Sequence, residues 1–373
     1  MTRRYRLVAL SGAIVASLAL PAASQALTKQ VYDGLPPKAQ KKFIDPKLNS
    51  DAIDFFPHAT TIHVGDSVRF TTTAFHNVDI PAKGKKPVTL LVPTGTNVAG
   101  SNDAAGNPYW FNGFPNFGFN ADLIDGNPPV NYDPFKTTKG KAIAFTYTGA
   151  KGVATPIPFG DNPKPLIVKF TKPGTVRFYC DLHPGQEGVI HVLPKSKAIP
   201  TAKADAKALK AQIDRDYKIA KDLLKQPPPP NTIDVGKAGK DGVEYFSFFP
   251  GKTTVPVGTT IKFQITPLSY ESHTATTGPG GPIDNPSSYL ATIAQSFFSK
   301  QFVPQGIYPS DPFGTVGTLT PQSHGNGFWN SGALDNVKSS PQPTSNSVTF
   351  TAAGTYEFYC MVHPQMHGTV VVQ

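Results

Sequence analysis

Cysteine is scarce in this sequence: only Cys180 and Cys360 occur among its 373 residues. In an exported protein, two cysteines ordinarily suggest a disulfide bond. Here each cysteine lies in its own copy of a repeated motif that also contains histidine, which argues against that pairing. Charged residues are sparse too, at 16% of the chain, and the net charge of +10 is spread along it. Without a clustered basic stripe, nucleic-acid binding is not expected.

Long apolar runs are almost absent as well. The exception is residues 7–20, which follow a cluster of arginines and precede small residues at Ser24 and Ala26. This order predicts a signal peptide over residues 1–26, with a membrane anchor as the alternative. We therefore expect a bacterial exported protein, periplasmic, cell-surface or extracellular, with no stable membrane span once the signal is removed. Thr2-Arg3-Arg4 weakly resembles a twin-arginine signal, so the export route stays open.

Proline and glycine, by contrast, are abundant, with 38 and 33 residues. Both supply the backbone angles that turns need, so the composition favours many short strands over a helical bundle. Aromatic residues make up 11% of the chain, enough to build cores and to argue against disorder. The sequence predicts an all-β fold.

Two copies of one unit follow each other in the chain. Residues 174–192 and 354–372 align without a gap, sharing Phe-Tyr-Cys, a His-Pro pair and a later Gly. Upstream, residues 55–57 and 248–250 both read Phe-Phe-Pro, and each leads into a strand, a Gly turn and a second strand. One histidine follows each of these strand–turn–strand units, at His76 and His273. A tandem repeat of one strand-rich unit is therefore expected.

The predicted organisation is two Greek-key β-sandwich domains, residues 27–195 and 232–373, joined by a helical and Pro-rich linker over residues 196–231. The linker carries apolar residues at helical spacing, so it packs on one or the other domain; these residues are Leu209, Ile213, Ala220 and Leu224. Each copy also has a long insertion rich in Gly, Asn and aromatic residues, around Trp110 and around Trp329. We expect these insertions to fold over one end of the sandwich.

The cysteine loops carry the chemistry. In each, a histidine lies three residues after the cysteine, and thiolate with imidazole favours copper or zinc. A distant histidine completes a trigonal set, and a weak axial ligand completes a blue-copper site. The second copy supplies His273, Cys360, His363 and Met366, and the first supplies His76, Cys180, His183 and Gln186. One copper ion per domain, two in all, is predicted; the alternative is two buried structural thiols beside core histidines.

These residues also carry a family resemblance. The loop FYCMVHPQMHG resembles the metal loop of plastocyanin-like cupredoxins, and its compact spacing is similar to that of amicyanin. His76-Asn77 matches the family's upstream ligand and the asparagine that ties the two metal-bearing loops together. The resemblance implies an electron carrier with type 1 copper. It covers the start and end of each domain, but not the insertions or the linker.

Two positions depart from that pattern. Thr274 stands where the family often has asparagine, so the second site must tie its loops differently. Gln186 replaces the usual methionine, as in the stellacyanin-like branch of the family. An oxygen ligand favours Cu(II) and lowers the potential relative to a thioether. We therefore expect two inequivalent sites, with the first the better electron donor.

Several functions remain open at this point. No His-x-His pair occurs and no histidine adjoins either cysteine, which argues against multicopper oxidases and copper nitrite reductases, and one cysteine per loop argues against a dinuclear copper centre. The main prediction is electron transfer with an unidentified redox partner protein, rather than catalysis. The alternatives are an exported copper carrier, a copper oxidoreductase whose insertions form a substrate pocket, and an interaction protein that no longer binds metal.

Overall fold

The computed structural model describes residues 26–43, 49–129, 142–158, 163–299, 301–337 and 342–373. Apart from Ala26, the predicted signal peptide lies outside the described residues. Within these ranges, no helix combines the length and the apolar character needed to cross a bilayer.

The part of the chain before the linker consists mainly of short strands. Its elements are β1 (Thr28–Asp33), α1 (Pro37–Phe43), β2 (Ser50–Ala52), β3 (Phe55–Phe56), β4 (Ala59–His63), β5 (Ser67–Thr72), β6 (Asp79–Ile80), β7 (Leu91–Asn97), β8 (Pro115–Phe119), α2 (Ala121–Asp125), β9 (Ile143–Tyr147), β10 (Val153–Ala154), β11 (Leu166–Phe170), β12 (Gly174–Tyr179) and β13 (Glu187–Leu193). Two five-stranded sheets form, in the orders β3-β1-β5-β11-β9 and β10-β6-β12-β13-β4. We call this part the first sandwich.

The linker helix α3 (Ala202–Leu223) separates it from the second sandwich. The elements that follow are β14 (Thr232–Ala238), a 3-10 turn (Lys240–Gly242), β15 (Val243–Phe249), β16 (Lys252–Val255), β17 (Thr260–Gln264), β18 (Thr276–Thr277), α4 (Tyr289–Ser296), α5 (Pro304–Ile307), β19 (Val316–Leu319), a 3-10 turn (Ser323–Gly325), β20 (Trp329–Asn330), β21 (Ser345–Phe350), β22 (Gly354–Tyr359) and β23 (His367–Val372). The sheets have the orders β19-β21-β17-β14-β15-β2 and β16-β23-β22-β18-β20.

The two sandwiches share one topology. Replacing β1, β3, β5, β9 and β11 by β14, β15, β17, β19 and β21 converts one sheet order into the other, and the second pair of sheets matches likewise. The predicted all-β sandwich fold with a helical linker is confirmed. Two features fall outside this correspondence among the described residues: β2, a strand of the first sandwich that lies at the edge of a sheet in the second, and a separate two-stranded sheet formed by β7 and β8.

Alternating burial explains why these segments are strands. Along β13 every second side chain is buried, and β23 follows the same pattern. One face of each sheet therefore turns inward, and the two inner faces of a sandwich enclose its core. In the first core Phe178 meets Phe55 and Phe70 edge-on, with centroids 4.6 and 5.0 Å apart. In the second, Phe358 lies 4.6 Å from Phe263.

Helix α3 packs against both sandwiches. Its N-cap is Thr201, whose hydroxyl accepts a hydrogen bond from the backbone N–H of Ala204. Leu223 packs in a small cluster with residues of α1, β2 and β15, and the Tyr245 hydroxyl donates to the Ala220 carbonyl at 3.0 Å. The expectation that Leu224 lies on the packing face is wrong. The helix ends at Leu223, and Leu224 is the exposed C-cap residue.

An edge-to-edge strand pair joins the sandwiches. Strands β2 and β15 are antiparallel, and their register places Asp51 opposite Glu244. These two residues are equivalent in the repeat, because each lies four positions before the first Phe of a Phe-Phe-Pro motif. An antiparallel pair in which equivalent residues face each other has two-fold symmetry about that point. The sandwiches are therefore related by an approximate two-fold axis that passes between Asp51 and Glu244.

The two insertions meet in a third hydrophobic cluster, which we call the insertion cluster. Val98, Tyr109 and Phe111 come from the first insertion, and the second supplies Leu290, Ile293, Ala294, Phe297, Phe302, Ile307, Tyr308 and Phe328. Met361, beside Cys360, packs into the same cluster. The Trp110 indole N–H also donates to the Pro309 carbonyl at 3.1 Å. The insertions thus cover the metal-loop end of the second sandwich and bind the two repeats together.

We expect Phe111→Ala to weaken this joint. Phe111 is fully buried and stacks on Tyr109 and Tyr308, so its truncation should cost about 3–5 kcal/mol of local stability. The matched variant Phe114→Ala removes a ring that is 39% exposed and should cost much less. Denaturant unfolding followed by fluorescence of the adjacent Trp110 measures both. An equal loss in the two variants would contradict the role of the insertion cluster.

Candidate metal centre

Two loops at one end of each sandwich bring the predicted residues together. In the first sandwich His76 lies between β5 and β6, while Cys180 directly follows β12 and His183 lies in the turn before β13. In the second, His273 lies between β17 and β18, and Cys360 directly follows β22. Because the loop of the upstream histidine and the loop of the cysteine leave the same end of the core, residues about a hundred positions apart in the sequence become neighbours.

The first group is compact and buried. The Cys180 Sγ lies 3.4 Å from His183 Nδ1 and 3.9 Å from His76 Nδ1, and the two Nδ1 atoms are 2.9 Å apart. All three side chains are at most 5% exposed. The two imidazole rings meet edge-on, with centroids 4.6 Å apart.

The second group repeats this arrangement. The Cys360 Sγ lies 3.8 Å from the Nδ1 atoms of both His273 and His363, which are 3.1 Å from each other. His273 and Cys360 are fully buried, whereas the His363 side chain is 18% exposed. In both groups the same three donor atoms point at one centre.

A metal ion fits that centre. In each triangle the point equidistant from the sulfur and the two nitrogens lies about 2 Å from all three atoms, close to ordinary metal–nitrogen and metal–thiolate bond lengths. One sulfur with two imidazole nitrogens, in a trigonal arrangement, suits copper. The two groups point to copper binding.

The fourth predicted residue of each site occupies the same place in its loop. Gln186 donates its backbone N–H to the His183 carbonyl at 2.9 Å, and Met366 donates to the His363 carbonyl at 2.8 Å. Both side chains are almost fully buried. The Gln186 amide nitrogen donates to Asp33 at 2.9 Å, which turns its carbonyl oxygen to within 3.2 Å of His183 Nδ1. Gln186 therefore presents an oxygen to the first centre.

In each pair of loops, a side chain after the upstream histidine accepts a hydrogen bond from the backbone N–H of the residue after the cysteine; in the first site the Asn77 amide also donates to the Asp181 carboxylate at 2.8 Å. In the first site the Asn77 side-chain oxygen accepts from the backbone N–H of Asp181 at 2.8 Å. In the second the Thr274 hydroxyl accepts from the backbone N–H of Met361, also at 2.8 Å. The expectation that Thr274 needs a different tie is thus answered in a simple way: a hydroxyl replaces an amide oxygen as acceptor. Thr274 also donates its backbone N–H to Cys360 Sγ at 3.3 Å.

The Nε2 atoms of the upstream histidines have different partners in the two sites. The Nε2 atom of His273 lies 3.2 Å from the Glu244 carboxylate, which is fully buried. The Nε2 atom of His76 is buried and has no hydrogen-bond partner among the described residues. Asp51, the equivalent of Glu244, lies on β2, which pairs with the other sandwich. The first site has no equivalent of the Glu244–His273 contact among the described residues.

The two cysteine thiols also differ in the direction of their pKa shifts. At the second site burial raises the pKa of Cys360, but hydrogen bonds from His273 and His363 outweigh it and lower the pKa to about 5. Burial also opposes charge on His273, yet its bonds to Cys360 and Glu244 raise its pKa to about 10. At the first site burial dominates and raises the pKa of Cys180. The thiolate that a metal ion needs is therefore more stable at Cys360.

The Nε2 atoms of the downstream histidines, His183 and His363, both contact one carboxylate. Glu271 Oε1 lies 2.9 Å from His183 Nε2, and Glu271 Oε2 lies 3.5 Å from His363 Nε2. Sequence analysis did not single out Glu271, Glu244 or Asp33. The position of Glu271, two residues before His273, was the available signal; that of Glu244 and Asp33 is visible only in three dimensions.

A cavity of about 1060 Å³ lies between the metal loops and the insertions. It reaches residues of both sites, including Cys180, His183, Glu271 and His363. Its remaining wall includes several aromatic residues, among them Phe117, Phe119, Phe297 and Phe302. The space beside the two centres is thus mostly apolar.

Comparison with known proteins gives only distant likenesses. No protein-family model and no curated protein matches the chain. Among solved structures, oxidised plastocyanin from Dryopteris crassirhizoma matches at 19% identity over 38% of this chain and 99% of its own, with a TM-score of 0.19. An oxidised amicyanin mutant matches at 17% identity over 38% of this chain and 80% of its own, with a TM-score of 0.18. Likenesses this distant say nothing about what the chain binds.

We expect Thr274→Val to damage the second site selectively. The substitution keeps the side chain's shape but leaves the buried N–H of Met361 without its acceptor, at a cost of about 1–3 kcal/mol. Denaturant unfolding and the copper affinity of the second site measure the effect. Thr260→Val removes an exposed hydroxyl bonded to Thr349 and serves as the control. An affinity as high in Thr274→Val as in the control would contradict the tie.

Proposed function

We propose that this protein is an exported electron-transfer protein made of two tandem cupredoxin domains, each with one type 1 copper site. The observation that carries the proposal is the pair of buried Cys-His-His groups whose donor atoms converge on one point each. The domains span residues 27–195 and 232–373, with residues 196–231 as linker. Its partner is a redox protein rather than a nucleic acid or a membrane, and the chain acts as a carrier rather than a catalyst.

Each site takes three strong ligands and one weak ligand. In the first, His76, Cys180 and His183 would hold copper through Nδ1 and Sγ, and the Gln186 oxygen would be the weak ligand. In the second the corresponding residues are His273, Cys360, His363 and Met366. Bound copper supplies one-electron redox chemistry with a strong thiolate-to-metal absorption band.

The protein's part is to hold these ligands still. Asn77 or Thr274 ties the loop of the upstream histidine to the cysteine loop. The upstream histidine and the thiolate therefore keep their spacing whatever the charge at the centre. Burial excludes water from the ligand atoms, so little solvent rearranges when an electron arrives. Both effects favour fast electron exchange.

The two sites are inequivalent in this proposal. Gln186 presents an oxygen to the first centre, which favours Cu(II) and lowers its potential relative to the Met366 site. Glu244 adds a buried negative charge next to His273, which lowers the potential of the second site and so reduces the difference between the two. Because the oxygen is an actual ligand and the carboxylate is one imidazole away, we expect the first site to keep the lower potential.

Visible spectra of the copper-loaded protein and of Cys180→Ser and Cys360→Ser test the proposal. The parent should show an intense blue band, and each variant should lose one part of it, because each retains one thiolate. Redox titration of the two single-site variants should give a lower potential for Cys360→Ser, which keeps only the first site. His191→Gln, on β13 away from both centres, is the control.

The outcomes separate the alternatives. Copper bound without a reversible potential would favour a carrier that delivers metal, and no thiolate band at all would mean that the cysteines are structural. Equal potentials in the two single-site variants would contradict the inequivalence of the sites.

A second candidate is a copper oxidoreductase, favoured by the cavity that reaches both centres. Such an enzyme needs an open coordination position, whereas a trigonal site with an axial ligand has none to spare. We expect azide to leave the copper spectrum unchanged, because the closed sites of a carrier do not take up an extra ligand. A new azide-to-copper band in electronic and paramagnetic resonance spectra would favour the oxidoreductase.

A further inference from the structure

Glu271 touches both metal-site groups. Its two carboxylate oxygens contact the Nε2 atoms of His183, in the first sandwich, and of His363, in the second, at 2.9 and 3.5 Å. The carboxylate is 9% exposed and the two imidazoles 6% and 18%, so water competes little for these contacts. A buried carboxylate shared by two histidines of different domains needs an explanation beyond packing.

The contacted nitrogens are the ones that face away from the cysteines. In both rings Nδ1 points at sulfur, at 3.4 Å for Cys180 and 3.8 Å for Cys360. With Nδ1 on a metal ion, Nε2 carries the hydrogen and donates it. One continuous chain therefore runs from the first centre through His183, Glu271 and His363 to the second, and its non-covalent links are the contacts of 2.9 and 3.5 Å at Glu271.

The acid is not part of the repeated unit. Two residues before His76, at the position equivalent to Glu271, the first sandwich has Ala74. The approximate two-fold axis relates His183 to His363, so a carboxylate between them lies close to that axis. A symmetric pair would put two like charges in the same place, which burial makes costly. One Glu and one Ala is the arrangement expected if a single acid serves both sites.

The neighbouring backbone is shaped for this contact. Tyr270 packs on Gly185 of the first cysteine loop so closely that a Cβ atom there would lie 2.5 Å from the ring, and Gly185 has a φ of +125°. The second cysteine loop has Gln365 at the equivalent position. The segment Tyr270–Glu271 of one sandwich is thus seated on the metal loop of the other.

We propose that Glu271 is a positioning residue that couples the two metal centres, and that His183–Glu271–His363 is the route for electron transfer between them. This inference rests on the proposed function. One electron leaves the first centre, which is oxidised from Cu(I) to Cu(II), and reduces the second from Cu(II) to Cu(I). No bond forms or breaks, and both Nε2 hydrogens stay in place.

The route changes where a partner can exchange electrons. The Nε2 edges of His183 and His363 face each other through Glu271 instead of facing solvent, with the cavity beside them. Internal exchange therefore uses the two imidazole edges, and the protein behaves as a two-electron unit with linked halves.

Glu271→Gln in the full copper-loaded protein tests the coupling. Glutamine keeps the size but has a single acceptor oxygen, so it can accept from His183 or His363 and not from both. After a pulse that delivers less than one electron per protein, redistribution between the sites should slow by about 10-fold or more, as expected when a partner of a metal-bound histidine is lost. Both blue bands should remain. Glu357→Gln removes an equal charge from an exposed site on β22 and should leave the rate unchanged.

A second readout does not depend on electron transfer. In the diamagnetic Cu(I) form, nuclear magnetic resonance should show the Nε2 hydrogens of His183 and His363 as slowly exchanging signals, and Glu271→Gln should lose one of them. Should Glu271→Gln not fold, Glu271→Asp, which is one methylene shorter, gives the same comparison.

The results distinguish the two proposals. An unchanged redistribution rate with both histidine signals retained would overturn the bridge and leave the proposed function intact, since the blue bands are still present. A parent protein without blue bands would instead sink the proposed function. In that case the histidine signals of the zinc-loaded protein, which uses the same donors, still decide whether Glu271 holds both rings.

Discussion

The antiparallel pairing of β2 with β15 is the constraint on which the rest of the molecule depends. It places Asp51 opposite its own equivalent, Glu244, and so sets an approximate two-fold axis between the sandwiches. Once that axis exists, the two cysteine loops face each other, the two insertions meet in one apolar cluster, and one carboxylate is enough for two imidazoles. A duplicated sandwich joined only by a helix would have left the two centres independent.

The two centres differ chemically although their ligands are arranged alike. Glu244 lies 3.2 Å from the Nε2 atom of His273, whereas the Nε2 atom of His76 has no hydrogen-bond partner among the described residues. The thiols differ too: His273 and His363 favour the thiolate at Cys360, whereas burial favours the neutral thiol at Cys180. Difference between two copies of one motif therefore arises from their neighbours as much as from the Gln186 and Met366 positions.

The sequence predicts well what local pattern and repetition determine. Alternating apolar residues and Gly turns predicted the strands β4 and β5, and β16 and β17, although the two strands of each unit lie in different sheets instead of forming a hairpin. The gapless Cys-x-x-His repeat predicted two equivalent loops. The helix was found by its spacing, but its end was misjudged at Leu224, because one residue past the last turn rotates the side chain away from the packing face. Glu271 and Glu244 could not be assigned from sequence, since a lone acid near a motif shows nothing of what it faces. Their roles come from a contact between repeats that are far apart in the chain.

The second sandwich has Glu271 where the first has Ala74, and this difference makes the two halves depend on each other. Tandem domains are commonly free to be lost, exchanged or recruited singly, because each carries everything its site needs. Here the first sandwich contributes the edge strand β2 to a sheet of the second, and the second contributes the Glu271 carboxylate that contacts His183 of the first. Each half therefore completes part of the other, and the two sandwiches form a single structural unit.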